Sequence, residues 1–87
     1  MQLLTLTQIP SVLEQELFEQ LLLTEDVLLL TGRALPLSYR APPYSCKTVV
    51  RQVEIAKLGG QPHGDWTLID DARWVELSAL SAKTIVW

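Results

Sequence analysis

Reactive and metal-binding side chains are scarce in this sequence of 87 residues, which contains one cysteine and one histidine. A single cysteine cannot form an intrachain disulfide, so nothing indicates an oxidising compartment. Neither Cys46 nor His63 has a second cysteine or histidine close by in the sequence to complete a metal site. We therefore predict neither a metal ion nor a cofactor, and no Ser/His/Asp arrangement suggests a catalytic set.

The chain also lacks clustered positive charge and long apolar runs. Seven Lys and Arg residues oppose ten Asp and Glu, which gives a net charge of −3, and the basic residues are dispersed between Arg33 and Lys83. Binding to a nucleic-acid backbone needs clustered basic side chains, so we expect no direct nucleic-acid contact. No apolar stretch approaches the roughly 18 residues of a membrane span, and no basic leader precedes an apolar block. The expected location is the cytoplasm, away from membranes.

Apolar character is what the sequence has in excess. Hydrophobic residues make up 48% of the chain, and the mean hydropathy is +0.20. A chain of this length forms one domain, here residues 1–87, and buries only about 60–65% of its unfolded surface. Part of the apolar surface is therefore expected to stay exposed as a patch that binds another subunit.

The first third of the sequence reads as a strand, a helix and a second strand. Leu3–Leu6 is a short β-prone run. Val27–Leu30 is a continuous apolar run, which is typical of a strand buried on both faces of a parallel sheet. Between them, Ser11 and Glu14 have the spacing of a capping box at the start of a helix. Together these segments predict a right-handed βαβ unit.

The helix that follows Ser11 is predicted to be amphipathic. Leu13, Leu17 and Leu21 recur at i, i+4 and i+8, so we expect these leucines to pack on the sheet. Val12 and Phe18 flank them. The opposite face is expected to carry the polar residues Glu14, Gln15, Glu16, Glu19 and Gln20.

The stretch from Gly32 to Ser45 is the least regular. Its prolines (Pro36, Pro42 and Pro43) leave room for at most one short helical turn, near Arg33–Leu37. Tyr39 and Tyr44 are expected to pack over the sheet edge and not to bind a ligand.

A third strand and a short helix are predicted next. Lys47–Val53 is rich in β-branched residues and reads as a strand, although its periodicity also permits a helix that continues to Lys57. Glu54–Leu58 then reads as a short helix that Gly59 and Gly60 terminate.

The last third contains a strand, a helix and an apolar tail. Trp66–Ile69 reads as a buried strand, and Ala72–Leu80 reads as a helix whose first N–H groups an aspartate caps. Lys83–Trp87 is apolar, and a tryptophan in final position needs cover from the fold's own surface or from another subunit. The whole sequence predicts an α/β fold, a small parallel sheet of four to five strands with helices on both faces.

Two places offer candidate reactive groups. Asp70 and Asp71 end a strand, where α/β proteins usually have their active sites, but helix capping is the preferred interpretation because Thr7 and Gln8 supply no carboxylate after the first strand. Cys46 lies at the start of a strand beside Lys47, the wrong end for such a site. We interpret it as a packed thiol, with a sulfur carrier as the alternative.

The stretch from Gln61 to Trp87 resembles the corresponding end of the DsrH/TusB family of small sulfur-relay subunits. The matching positions are Gln61, Asp65, Leu68-Ile69-Asp70, Val75, Leu77 and Trp87. Upstream, Ile55-Ala56-Lys57 is similar to the family's Ile-Ala-Arg, and Leu28-Leu29-Leu30 followed by Gly32 is similar to its second strand. The matches are densest over the last third of the chain.

The resemblance implies a flavodoxin-like, DsrEFH-like fold within a hetero-oligomer of three related subunits, two copies of each. The implied partners are DsrE/TusD-like and DsrF/TusC-like sister subunits. In the tRNA-modifying branch such a complex passes persulfide sulfur towards thiolation of the wobble uridine, and the B-type subunit has no essential cysteine. In the sulfur-oxidising branch the H-type subunit carries a cysteine on its first helix, and Ser11–Leu23 contains none.

The leading hypothesis is therefore a non-catalytic structural subunit of a sulfurtransferase complex, with Trp74 and Trp87 as interface or anchoring residues. Core packing is the alternative for Trp74. The alternative functions are a minimal sulfurtransferase with Cys46 as its persulfide carrier, a sulfur-oxidation subunit of the H type, and a free-standing, homo-oligomeric α/β module of another function. The isolated chain is expected to be able to form homo-oligomers.

Overall fold

A sheet of five parallel strands runs through the molecule in the computed structural model, which describes residues 1–42 and 44–87. The elements in chain order are β1 (Gln2–Leu6), α1 (Val12–Leu21), β2 (Val27–Leu30), the 3₁₀ helix (Gly32–Tyr39), β3 (Lys47–Arg51), α2 (Gln52–Leu58), β4 (Thr67–Ile69), α3 (Asp71–Leu80) and β5 (Lys83–Val86). The spatial order of the strands is β4-β3-β2-β1-β5. This confirms the predicted α/β class and is consistent with a small flavodoxin-like fold.

The strand order fixes which face each helix covers. The chain steps from β1 to β4 in one direction and then crosses back to place β5 on the other side of β1. Right-handed crossovers therefore put α1, the 3₁₀ helix and α2 on one face and α3 alone on the other. The core divides accordingly, because Phe18 and Ile55 belong to one buried cluster and Leu77 belongs to the other.

The central strand, β2, explains the continuous apolar run in the sequence. All four residues of Val27–Leu30 are buried, since β1 and β3 flank the strand and both of its faces are covered. Leu28 and Leu30 point into the cluster beneath α1, while Val27 and Leu29 point into the cluster beneath α3. A strand that is buried on both sides cannot alternate apolar and polar residues.

The predicted orientation of α1 is wrong, although its start is confirmed. The hydroxyl of Ser11 accepts the N–H of Glu14, and the Glu14 carboxylate accepts the N–H of Ser11, so the capping box is present. The three leucines expected on the sheet point outward instead, with exposed fractions of 78%, 54% and 55% for Leu13, Leu17 and Leu21. We call this row the α1 leucine stripe.

Phe18 anchors α1 in place of the leucines. It is buried and meets the Trp87 ring edge to face, with 5.3 Å between the ring centroids. Leu22, four residues after Phe18, is buried beside it in the same cluster. The helix thus carries two apolar rows, and the row with the larger aromatic side chain packs on the sheet.

The middle of the chain is more helical than predicted. The 3₁₀ helix spans Gly32–Tyr39, includes Pro36, and begins at a glycine whose φ is +56°. β3 ends at Arg51, and Gln52–Leu58 is helical, so the strand is shorter than predicted. Gly59 and Gly60 follow the helix with positive φ angles, as expected of its terminator.

The two tyrosines of this region take different positions. Tyr44 is buried in the core cluster beneath α1, whereas Tyr39 is partly exposed and donates its hydroxyl to the carbonyl of Gly59. Pro43 lies outside the described residues. No helix in the described part of the chain is long and apolar enough to cross a membrane.

A buried carboxylate ties β2 to β1. Asp26 is 1% exposed and accepts the backbone N–H of Gln2 at 2.8 Å and that of Leu23 at 2.9 Å. Burial alone would raise the pKa of Asp26, but these two hydrogen bonds and the nearby amino terminus outweigh it and lower the pKa. The ionised form is therefore the one that the fold stabilises.

We expect Asp26→Asn to reduce the free energy of unfolding by about 1–3 kcal/mol at neutral pH, because the amide group cannot accept both N–H groups. The folded pKa lies below the unfolded value of about 3.9. The carboxylate's stabilising effect is therefore complete above the unfolded value and is lost as pH falls through the folded pKa. Urea unfolding from neutral to acidic pH should show that loss in the wild type and less of it in the variant. The exposed Glu25→Gln is the matched control, and equal effects of the two substitutions would contradict the assignment.

Candidate functional site

The usual ligand position of an open parallel sheet is filled here by the chain itself. In such folds ligands bind outside the carboxyl ends of the strands, where the strand order reverses, which in this sheet is between β1 and β5. At that point the carbonyl of Trp87 accepts the Thr7 N–H at 2.8 Å and the Thr7 hydroxyl at 2.7 Å. The Arg33 N–H binds the Thr7 carbonyl at 3.0 Å. These contacts close the crevice with backbone.

A charged cluster lies at the same edge of the sheet, where β3 ends and α3 begins. Arg51 Nη2 lies 2.7 Å from Asp71 Oδ1, and Arg51 Nη1 lies 3.2 Å from Glu54 Oε1. The Thr31 hydroxyl donates to the Glu54 carboxylate at 2.8 Å. The guanidinium also sits 4.4 Å from the centre of the Trp74 ring. The hydrogen bond to Asp71 is the main reason why the pKa of Arg51 is raised.

This cluster stabilises the fold, because its charged groups pair with one another. One guanidinium bridges two carboxylates and packs on an indole, and three of its five N–H donors are used in these contacts. Arg51 and Glu54 were not among the site residues predicted from the sequence. No local signal indicated them, because Arg51 ends β3 and Asp71 follows β4, and the pairing of these two strands is a property of the folded sheet.

The two aspartates after β4 take different roles. Asp70 caps α3 by accepting the Arg73 N–H at 2.8 Å, which confirms the predicted cap. Asp71 forms the ion pair with Arg51 instead. Among the described residues no group of three or more His, Cys, Asp or Glu side chains could hold a metal ion.

Cys46 lies at the opposite edge of the sheet, directly before β3. Its side chain is 7% exposed, and burial, with the negative charge of Asp26 as a smaller cause, raises the pKa of the thiol. A nucleophilic cysteine needs the reverse, a lowered pKa and access to solvent. A cavity of about 400 Å³ adjoins the thiol, and its lining includes Lys47, Asp65 and Arg73.

The other candidate acid–base groups are unsuited to catalysis. Burial raises the pKa of Tyr44 to about 12, and its hydroxyl has no hydrogen-bond partner within the described part of the chain. His63 is exposed in its turn and accepts the Asp65 N–H through Nδ1 at 3.2 Å. The Thr31 hydroxyl donates to the Glu54 carboxylate, but that carboxylate is already paired with Arg51.

The two tryptophans proposed as interface residues are both half-buried by their own chain. Trp74 packs against the cluster beneath α3 and under the Arg51 guanidinium. Trp87 packs against the cluster beneath α1, and its backbone N–H donates to the Thr5 carbonyl at 2.8 Å. Each tryptophan therefore packs part of its ring against its own chain and leaves the rest exposed. The role of both residues at an interface stays a prediction.

The α1 leucine stripe is the strongest candidate for a functional surface. Its three leucines point outward, and Ile9 and Leu23, which precede and follow α1 in the sequence, are also more than half exposed. An exposed apolar row of this kind is typical of a surface that another molecule covers. Such a surface is suited to binding another molecule and not to catalysis.

Comparison of the sequence with models of protein families and with curated proteins gave no match.

We expect the Cys46 thiol to react slowly with a disulfide reagent in the native protein. At slightly alkaline pH its rate should be roughly tenfold or more below that of the unfolded chain, because the thiol is buried and its pKa is raised. Stopped-flow absorbance with DTNB measures both rates. The double variant Cys46→Ala/Ser45→Cys moves the thiol to the adjacent exposed position and should react rapidly. A native Cys46 that reacts as fast as this control would show an activated thiol.

We expect Trp87 to stabilise the isolated chain through Phe18. In a double-mutant cycle with Trp87→Ala and Phe18→Ala, the coupling energy should be about 1 kcal/mol, the range of an edge-to-face aromatic pair. Urea unfolding of the wild type, both single variants and the double variant supplies the cycle. If Trp87 served only an interface with another subunit, Trp87→Ala would leave the free energy of unfolding of the free chain unchanged.

Proposed function

We propose that this chain is a non-catalytic structural subunit of a persulfide-relay sulfurtransferase complex that serves 2-thiolation of the wobble uridine in tRNA. The proposal places the complex in the cytoplasm, with DsrE/TusD-like and DsrF/TusC-like sister subunits as partners. The α1 leucine stripe is the observation that carries it, since a chain with so large an exposed apolar row is suited to association.

The state of Cys46 supports a role without catalysis. A persulfide carrier must present a thiolate to its donor and its acceptor, whereas this thiol is buried and has a raised pKa. In the proposed complex the sulfur is therefore carried by a sister subunit. The same observation disfavours the alternative in which Cys46 makes this chain a minimal sulfurtransferase.

The residues that resemble the DsrH/TusB family mostly have structural roles that agree with the proposal. Leu68 and Ile69 belong to β4, Asp70 caps α3, and Leu77 is the buried residue of that helix. Val75, which the resemblance placed on the inner face, is 60% exposed instead. Because α1 contains no cysteine, we prefer the tRNA-modifying branch to the sulfur-oxidising one.

Co-expression with the sister subunits tests the proposal. The three chains should co-purify as one hetero-oligomer, and transfer of radioactive sulfur from a cysteine desulfurase to tRNA should require this chain. Cys46→Ser should retain both assembly and transfer. A chain that stays apart from both sisters would contradict the proposal, and so would a Cys46→Ser complex that assembles normally but transfers no sulfur.

A further inference from the structure

The charge of this chain is divided unevenly along its length. Residues 1–32 contain no Lys or Arg and five acidic residues, a net charge of −5, whereas the remaining 55 residues have a net charge of +2. Of the five carboxylates, only Asp26 is buried. The part of the molecule that presents the α1 leucine stripe is therefore its acidic part.

Glutamates border the α1 leucine stripe. The first and last leucines are eight positions apart in the helix, about 12 Å at the rise of an α-helix. At 3.6 residues per turn, Glu16 lies beside the row on one side and Glu14 lies beside it on the other. Glu16 is exposed, and Glu14 is half-buried because it closes the capping box. The result is an apolar row with an acidic border.

The acidic border argues against two kinds of binding partner, a second copy of this chain and an anionic membrane. A two-fold contact between copies would place the same patch on itself, with glutamate facing glutamate around the leucines. The cytoplasmic leaflet is itself anionic and attracts basic, not acidic, helices. Neither a symmetric homodimer nor an anionic membrane complements the surface.

We propose that the α1 leucine stripe docks a different protein chain, one that presents an apolar row bordered by lysine or arginine. The leucines supply the buried apolar contact, and Glu14 and Glu16 select the partner by charge. The inference rests on the proposed function only in its need for a partner, since it specifies the surface and its chemistry without naming the complex.

Two synthetic peptides test the charge selection. Both are amphipathic helices with leucine at i and i+4, one with lysine and the other with glutamate beside the leucines. By fluorescence anisotropy at low salt, the lysine peptide should bind the wild-type chain at least about tenfold more tightly than the glutamate peptide, and added salt should reduce the ratio. Glu16→Lys should also reduce it. Equal binding of the two peptides, or no binding of either, would overturn the proposal.

Substitutions on the two exposed helix faces test the location. Leu17→Glu should weaken binding of the lysine peptide at least about tenfold, because it places a charge in the middle of the row. Val75→Glu changes an equally exposed apolar residue on α3 and should leave binding unchanged. Circular dichroism of both variants checks the fold. If the two substitutions have the same effect, the α1 leucine stripe is not the docking surface.

Sedimentation and vesicle flotation examine the other occupants. The wild-type chain should not form a dimer that Leu17→Glu dissociates, and it should not float with vesicles that contain phosphatidylserine. A dimer that Leu17→Glu dissociates would show that the surface binds a second copy, and flotation would show that it binds a membrane. Either observation would overturn the proposal.

Assembly with the sister subunits separates this inference from the proposed function. If the wild type assembles with the sisters and Leu17→Glu assembles equally well, the proposed function stands and the docking surface lies elsewhere. If no sister binds but the lysine peptide shows the expected selectivity, the docking surface stands and the proposed function fails.

Discussion

Both faces of an all-parallel sheet must be covered, and this chain has few residues with which to do it. Three helical segments cover one face, and a single helix of ten residues covers the other. Half of the buried side chains among the described residues therefore come from the strands, above all from β2, and each helix contributes only a few. Apolar residues therefore remain on the outward faces of the helices, and the three exposed leucines of α1 are the main example.

The same shortage of residues limits the sites that the fold can offer for ligand binding or catalysis. The crevice at the carboxyl edge, where a larger α/β protein would bind a ligand, is closed by hydrogen bonds between Thr7 and Trp87. The groups that remain at that edge pair with one another through Arg51. The single thiol is buried at the opposite edge. The α1 leucine stripe and its acidic border remain exposed to solvent.

Local signals in the sequence predicted most of the fold. The capping box at Ser11, the cap at Asp70 and the glycines after α2 each depend on neighbouring residues, so their spacing was sufficient. The continuous apolar run of β2 identified a central parallel strand for the same reason. Interactions between residues distant in sequence could not be predicted in this way.

The orientation of α1 shows why. Its sequence contains two apolar rows, and periodicity alone favoured the row with three leucines. The row that packs inward contains Phe18, which contacts Trp87 on the same face of the sheet, and Trp87 lies 69 residues further along the chain. The Arg51 cluster likewise joins the ends of two paired strands, and it becomes visible only when the strand order is known. The candidate site, which depends on that orientation, was correspondingly harder to predict than the fold.

The hydrogen bonds between Thr7 and Trp87 join groups that are 80 residues apart in the sequence. They extend the pairing of β1 with β5, so β1 gains its second neighbour only after β5, which follows the other four described strands in the sequence, has been synthesised. Until Lys83–Val86 emerges, β1 presents an unpaired edge of largely apolar sequence to other nascent chains. A binding protein or chaperone that shields this edge during translation would therefore raise the yield of native protein without changing its final stability.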